Sequence, residues 1–283
     1  MKSRIITDSA NDLPEELLKK YDIKFAPLSI AFEDDVFQDC VDLSREQFYS
    51  RLIEEKQIPR TSQPSPQAFF DLIKDVLAKG LDAVVITLSS GLSGTYSSAV
   101  MARDMFSPEE QKRIFLVDSL SASLGLGLLV YEAAKLAQEG MAGKEIAEKI
   151  EQLKRRMTPI FTVNTFEYLL KGGRIHKVQA FFGTVLDIKP ILTLNSEGKI
   201  EALEKVRGRK KAISRLLDIM AEKGRDLEKQ SVGVVHAHAL EEARELANSV
   251  KSRFNVKEII IGELSASIGT HTGPGCLSVF FYR

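Results

Sequence analysis

Cysteine is scarce in this 283-residue chain: Cys40 and Cys276 stand far apart, in no C-x-x-C or metal-like spacing. That excludes a disulfide framework and gives no sign of a zinc site. Charge of one sign is also missing, since Lys plus Arg and Asp plus Glu both number 39. A general nucleic-acid binder would carry a basic excess. No apolar run approaches the roughly 20 residues that cross a bilayer, and the opening MKSRIITDSA has no apolar signal-peptide core. A cytoplasmic protein is therefore expected. The phosphate-loop pattern ending in Gly-Lys-Ser/Thr is absent, as is G-x-G-x-x-G after a strand.

What remains is a typical globular composition, 44% apolar and 28% charged, long enough for one large or two ordinary domains. Strand-like and helix-like segments alternate throughout, which is the pattern of an α/β protein. Helix starts are marked at D-L-P-E (12–15), at Ser44 with Gln47, at Ser65-Pro66 and at S-P-E-E (107–110). A long helix is expected from residue 121 to 140 and an amphipathic one from 144 to 156. The texture changes at MTPIFTVNTFEYLL, so the boundary is placed near Thr158, giving domains 1–158 and 159–283. The second part contains a β-hairpin turning at residues 195–198, a basic helix, and further strands and helices ending in CLSVFFYR.

The most informative stretch is LDAVVITLSSGLSGTYSSA (81–99). A buried parallel strand (83–88) runs into a turn rich in glycine and hydroxyls, then into a helix, which is where open α/β sheets bind ligands. Ser89, Ser90, Ser93 and Thr95 exceed what capping requires, so an uncharged oxyanion cradle is expected there. RTSQPSP (60–66) reads as a helix cap at Ser65, which leaves Thr61, Ser62 and Gln63 unexplained. In GTHTGPG (269–275) a histidine sits among glycines where backbone can approach a ligand closely; a tight turn with a structural histidine reads equally well.

Ser93 with His271 invites a hydrolase reading, or a phosphotransferase subunit using His271. Against it, G-L-S-G-T (91–95) lacks the last glycine of a nucleophile elbow, and no third triad member can be assigned. His236 and His238, with no carboxylate or cysteine nearby, are a weak metal signal; no metal is expected. Two compact basic segments are LLKGGRI (169–175) and KVRGRKK (205–211). The second reads by default as a solvated face. Arg174, after two glycines, is the better candidate for a directed role.

The ordered set DSANDL, RTSQPSP, SSGLSGTYSSA, VDS, LLKGGRI, IKPIL, KVRGRKKA and THTGPG resembles the DegV family of bacterial fatty acid-binding proteins. The resemblance runs from Ile6 to the end of the chain. It implies two α/β domains, the first with a mostly parallel sheet and the second with a mixed one, holding a long-chain fatty acid in a tunnel between them. It implies no catalytic residue, no cofactor and no metal. The carboxylate would be bound at Thr61, Ser62, Ser93, Gly94 and His271, with Arg174 and Arg207 in the head-group network or on a partner surface. The implied partner is the ATP-binding, dihydroxyacetone kinase-like subunit of a fatty acid kinase, which makes the acyl phosphate. Transient contact with a membrane surface is implied too.

The chemistry suits that ligand. Burying a methylene gives roughly 0.8 kcal/mol, so about fourteen of them supply on the order of 11 kcal/mol before losses. Hydroxyls then need only offset the desolvation of the carboxylate, and a protonated His271 would add a neutralising charge. Tunnel walls are expected from residues 180–186, 188–192 and 124–130. Gly125 and Gly127, costly inside a helix, point to a close packing or ligand contact.

Overall fold

The computed structural model describes residues 2–33, 35–175 and 187–283; the wall expected at 180–186 lies outside them. Three sheets organise the chain. The first is four-stranded and wholly parallel, in the order β2 (Lys24–Ala26), β1 (Ser3–Asp8), β6 (Asp82–Thr87), β7 (Ile114–Asp118). The second is a small antiparallel sheet, β4 (Asp35–Gln38), β3 (Ser29–Phe32), β5 (Arg60–Ser62). The third is mixed, in the order β10 (Ile200–Arg207), β9 (Ile188–Leu194), β8 (Met157–Thr162), β13 (Leu277–Tyr282), β11 (Ser231–His236), β12 (Glu258–Glu263). Only β11 and β12 run parallel there. The fold is α/β, parallel in its N-terminal part and mixed in its C-terminal part, as the sequence led one to expect.

The helices are α1 (Glu15–Lys20), α2 (Arg45–Ser50), α3 (Pro66–Ala78), α4 (Thr95–Asp104), α5 (Pro108–Gln111), α6 (Leu124–Gln138), α7 (Gly143–Leu153), α8 (Glu167–Lys171), α9 (Arg209–Lys223), α10 (Leu240–Phe254) and α11 (Ala266–Thr272). Three caps form as expected. Ser44 with Gln47 and Ser107 with Glu110 make reciprocal capping boxes, and Ser65 accepts from the Ala68 N–H with Pro66 in the first turn.

Three apolar clusters result. α3 and α4 cover one face of the parallel sheet, α9 and α10 one face of the mixed sheet. The third cluster joins both halves and is centred on α6. Residues 124–131 of α6 are all buried, as expected of a helix apolar on every side. Its glycines explain themselves there. A Cβ at Gly125 would overlap Ser121 and press the Phe280 ring; one at Gly127 would overlap the carbonyl of Asn11.

The structure departs from the sequence reading at three places. Asp12 does not cap α1, whose N-cap position is Pro14; it adopts φ 51° and accepts the Ser265 N–H at 2.8 Å, far along the chain. Residues 60–62 are an edge strand rather than a loop. Gly269 to Thr272 belong to α11 rather than to a glycine loop, because Gly269 is there to let Phe48 and Tyr49 pack against the helix.

Candidate functional site

Between the parallel and mixed sheets lies a cavity whose empty space, counted with the open solvent at its mouth, is about 750 Å³. Most of its wall is apolar: Leu28, Leu88, Leu92, Phe161, Leu264, Ile268 and Phe280 among others. The hairpin contributes Leu194 and Ile200. Residues 188–192 and 124–130 do not line it among the described residues; Ile191, Leu192 and the α6 leucines are core packing instead.

Of the polar side chains on this wall, Thr61, His271, Arg174 and Ser93 lie near one another, while Ser123, Ser267, Thr272 and Ser278 add further hydroxyls. Thr61 Oγ1 lies 2.9 Å from His271 Nε2. The pairing exists because β5 lies at the edge of the small sheet and α11 runs beside it. Gly172 packs against the other face of the contact, so close that a Cβ would overlap His271 Nδ1. Arg174 follows two residues later, donating from NH1 to the Gly172 carbonyl at 2.5 Å and from Nε to the Leu92 carbonyl at 3.3 Å. Ser93 is next to Leu92 and exchanges a 2.9 Å hydrogen bond with Thr95. Thr61, His271, Arg174 and Ser93 therefore meet at one region of a largely apolar cavity.

The charge state of this region differs from the sequence expectation. Burial, helped by the positive Arg174, lowers the His271 pKa to about 4. At neutral pH the imidazole is neutral, and it supplies one N–H donor rather than a charge. Nδ1 is buried with no hydrogen-bond partner among the described residues. Half-burial also pulls the Arg174 guanidinium below its ordinary value, but it stays cationic and is the positive group of the site.

Other expected residues are placed differently. Ser62 alternates to the opposite side of β5 from Thr61 and is exposed; neither it nor Gly94 lines the cavity among the described residues. The Gln63 side chain occupies the space a Gly94 Cβ would need. Arg207 is exposed at the end of β10, away from the wall. Of the hydroxyls in the turn after β6, only Ser93 reaches the cavity among the described residues. Ser89 instead donates to the Gly198 carbonyl at 2.9 Å, tying the hairpin turn down, and Asp118 accepts from the Ser90 N–H at 3.1 Å. The expected cradle is mostly scaffolding.

The hydrolase geometry is not formed either. Ser93 bonds Thr95 and His271 bonds Thr61, and among the described residues no carboxylate orients the imidazole. Among the described residues no group of three or more His, Cys, Asp and Glu side chains is placed to hold a metal ion. None of the described helices is long and apolar enough to cross a membrane.

The sequence pattern of a family described as "Uncharacterised protein, DegV family" matches residues 2–283. A DegV domain-containing protein of Caldanaerobacter subterraneus subsp. tengcongensis is 39% identical over 281 residues, covering 99% of this chain and 98% of that one. Among solved structures, a fatty acid-binding DegV family protein from Thermus thermophilus superposes with a TM-score of 0.91 at 32% identity, covering all of both chains. DegV of Bacillus subtilis, described as a fatty acid binding protein, gives 0.88 at 31%, again over both full chains. With the pattern covering nearly every residue, the chain belongs to the DegV family.

Proposed function

We propose that this protein holds a long-chain fatty acid, with the hydrocarbon along the apolar wall and the carboxylate against Thr61, Ser93, His271 and Arg174. One observation carries the reading: a largely apolar cavity with a cation, Arg174, and the paired Thr61 and His271 on its wall, the other polar groups described there being small hydroxyls and a thiol. The tail supplies affinity by burial. With the imidazole proton on Nε2 donated to Thr61 Oγ1, the Thr61 hydroxyl hydrogen is free to reach a carboxylate oxygen. Ser93 offers a second hydroxyl and Arg174 the opposite charge. Fatty acid binding by the Thermus and Bacillus relatives supports the same ligand.

The protein acts as a carrier in this reading, not as an enzyme. It presents the carboxylate to a separate ATP-using kinase subunit in the cytoplasm, where the acyl phosphate forms. Hydroxyl ligation favours such a step, because it leaves the carboxylate oxygens less tied than a bidentate ion pair would. Arg207, Lys210 and Lys211 are exposed together where β10 meets α9, and that basic surface suits the kinase partner or a transient membrane contact. Confinement of the parallel sheet to residues 3–118 and the mixed sheet to 157–282 supports domains 1–158 and 159–283.

Native mass spectrometry of the purified protein tests the ligand. An adduct with the mass of a long-chain fatty acid, displaced by added palmitate, is the expected result. Absence of any acyl adduct together with no uptake of palmitate overturns the reading. Acyl-phosphate formation with ATP and a dihydroxyacetone kinase-like subunit, lost when the carrier is omitted, tests presentation; equal formation without it refutes that part.

A further inference from the structure

The helix that carries His271 belongs to the C-terminal half and packs there on α8, yet the groups that hold its N-terminus come from the N-terminal half. At seven residues α11 is far shorter than a helix that is stable alone. Its N-cap residue, Ser265, does not cap it with its own side chain. The free N–H groups of its first turn go instead to two distant carboxylates. Asp12 Oδ1 accepts from the Ser265 N–H at 2.8 Å. Asp39 spans the next two, Oδ1 accepting from Ala266 N–H at 3.1 Å and Oδ2 from Ser267 N–H at 3.2 Å. Tyr49 adds a hydroxyl hydrogen bond to the Leu264 carbonyl at 3.2 Å, and Phe48 and Tyr49 close on Gly269.

Asp39 is placed to do more than fill a cap. It directly follows β4, and Thr61 lies in β5; both strands flank β3, where Ser29 pairs with Gln38 on one side and Ser62 on the other. One small sheet thus grips α11 twice, by Asp39 at Ala266 and by Thr61 at His271. Ala266 and His271 are five positions apart, about 7.5 Å along a helix, while β4 and β5 stand about 10 Å apart across β3. Side chains bridge the difference at both grips, so the first helps to set the height and rotation at which the imidazole arrives at the second.

A carboxylate is also the group this position requires. Four donors converge on it: Ala266 N–H, Ser267 N–H, the Ser9 hydroxyl at 3.0 Å and, more weakly, the Cys40 thiol at 3.6 Å. An ionised carboxyl offers acceptors only, whereas an amide would turn an N–H toward an N–H. Full burial next to Asp8 and Asp12 makes that charge costly, with Arg45 as its compensating cation.

We infer that Asp39 is a positioning residue of the head-group site, holding the N-terminus of α11 on the small sheet so that His271 meets Thr61. The inference rests on the fatty acid reading for its ligand but not for its geometry. Its test is a double-mutant cycle read on two ligands alike in tail and different in head, palmitate and hexadecanol. Wild type is expected to prefer palmitate. Asp39→Asn is expected to lower that preference about tenfold, close to the effect of His271→Gln, and to add little in the double variant, because both act through one contact. Equal losses for the two ligands, a melting-temperature change alone, or effects that multiply in the double variant would overturn it. Should Asp39→Asn fail to fold, Ser9→Ala removes one donor to the same carboxylate and is expected to lower the preference about two- to threefold; no change refutes the inference. If wild type binds neither ligand, the fatty acid reading falls. The ring ¹⁵N resonances of His271, one of four histidines, then decide: they shift in Asp39→Asn if the carboxylate positions the imidazole, and unmoved resonances end the proposal.

Discussion

His271 Nε2 and Thr61 Oγ1 lie 2.9 Å apart, the one on a helix of the C-terminal half and the other on an edge strand of the N-terminal half. Replacing Thr61 by valine keeps the β-branched shape that an edge strand favours and removes only the hydroxyl. Thr61→Val is expected to weaken palmitate binding by about tenfold to a hundredfold, the worth of one hydrogen bond to a charged group, and to leave hexadecanol binding within about twofold. Calorimetric titration of both ligands checks this; equal losses would mean that Thr61 shapes the wall rather than holding the head group.

Gly172 gives a sharper test from outside the ligand shell. Its φ of −75° suits any residue, and it ends α8, so backbone preference alone favours alanine there. The added Cβ would instead overlap His271 Nδ1. Gly172→Ala is therefore expected to push the imidazole from Thr61 and to cut palmitate affinity at least fivefold. Thermal denaturation should show a change of less than about 1 kcal/mol. Retained affinity would show that the imidazole can yield without cost.

His271 also makes stability depend on pH with a definite sign. Its pKa is about 4 in the folded chain against the ordinary 6.5, so the unfolded chain binds more protons between those values. Its contribution is whole above pH 6.5 and is lost as pH falls through 4. Asp8 and Asp12, raised by burial to about 7 and about 6, act in the opposite direction, and His236 acts in the same one. The difference between wild type and His271→Gln isolates the one group. Urea unfolding at pH 7 and pH 4.5 should show the variant losing less stability on acidification, by on the order of 2 kcal/mol. An equal loss in both proteins would contradict the assignment.

Gly125→Ala asks whether packing overrides helix propensity. Alanine would gain roughly 1 kcal/mol in an exposed helix, but here it strikes Ser121 and the Phe280 ring on the cavity wall. A net loss of about 1–3 kcal/mol is expected by chemical denaturation. Stabilisation would show that the Phe280 ring has room to move.

Much of the architecture was legible because it is carried by local signals. The buried strand expected at 83–88 appears at 82–87, the hairpin turns at residues 195–198, and three capping patterns form as read. The small sheet was not legible: its strands are three or four residues long, too short for alternation to show. Asp12 carries a local capping signature but serves Ser265, and Asp39 carries no signal at all, since the helix N–H groups that it accepts from lie more than two hundred residues away. Ser93 and His271 stood out from hydroxyl- and glycine-rich segments and Thr61 as more than a cap needs, but their shared role at a carboxylate is what the family resemblance implies. The neutral state of His271 was illegible because it follows from burial and from Arg174, and neither is written near residue 271.

α6 lies in the first half of the chain but packs against β11, β13 and β8 as well as β1 and β6. A clamshell separation of the two halves would wet its leucines, and at roughly 1.5–3 kcal/mol for each large aliphatic side chain even four of them rival the 5–15 kcal/mol that holds a typical domain folded. A ligand of the kind proposed would therefore exchange by small displacements at the cavity rim while α6 stays covered by both sheets.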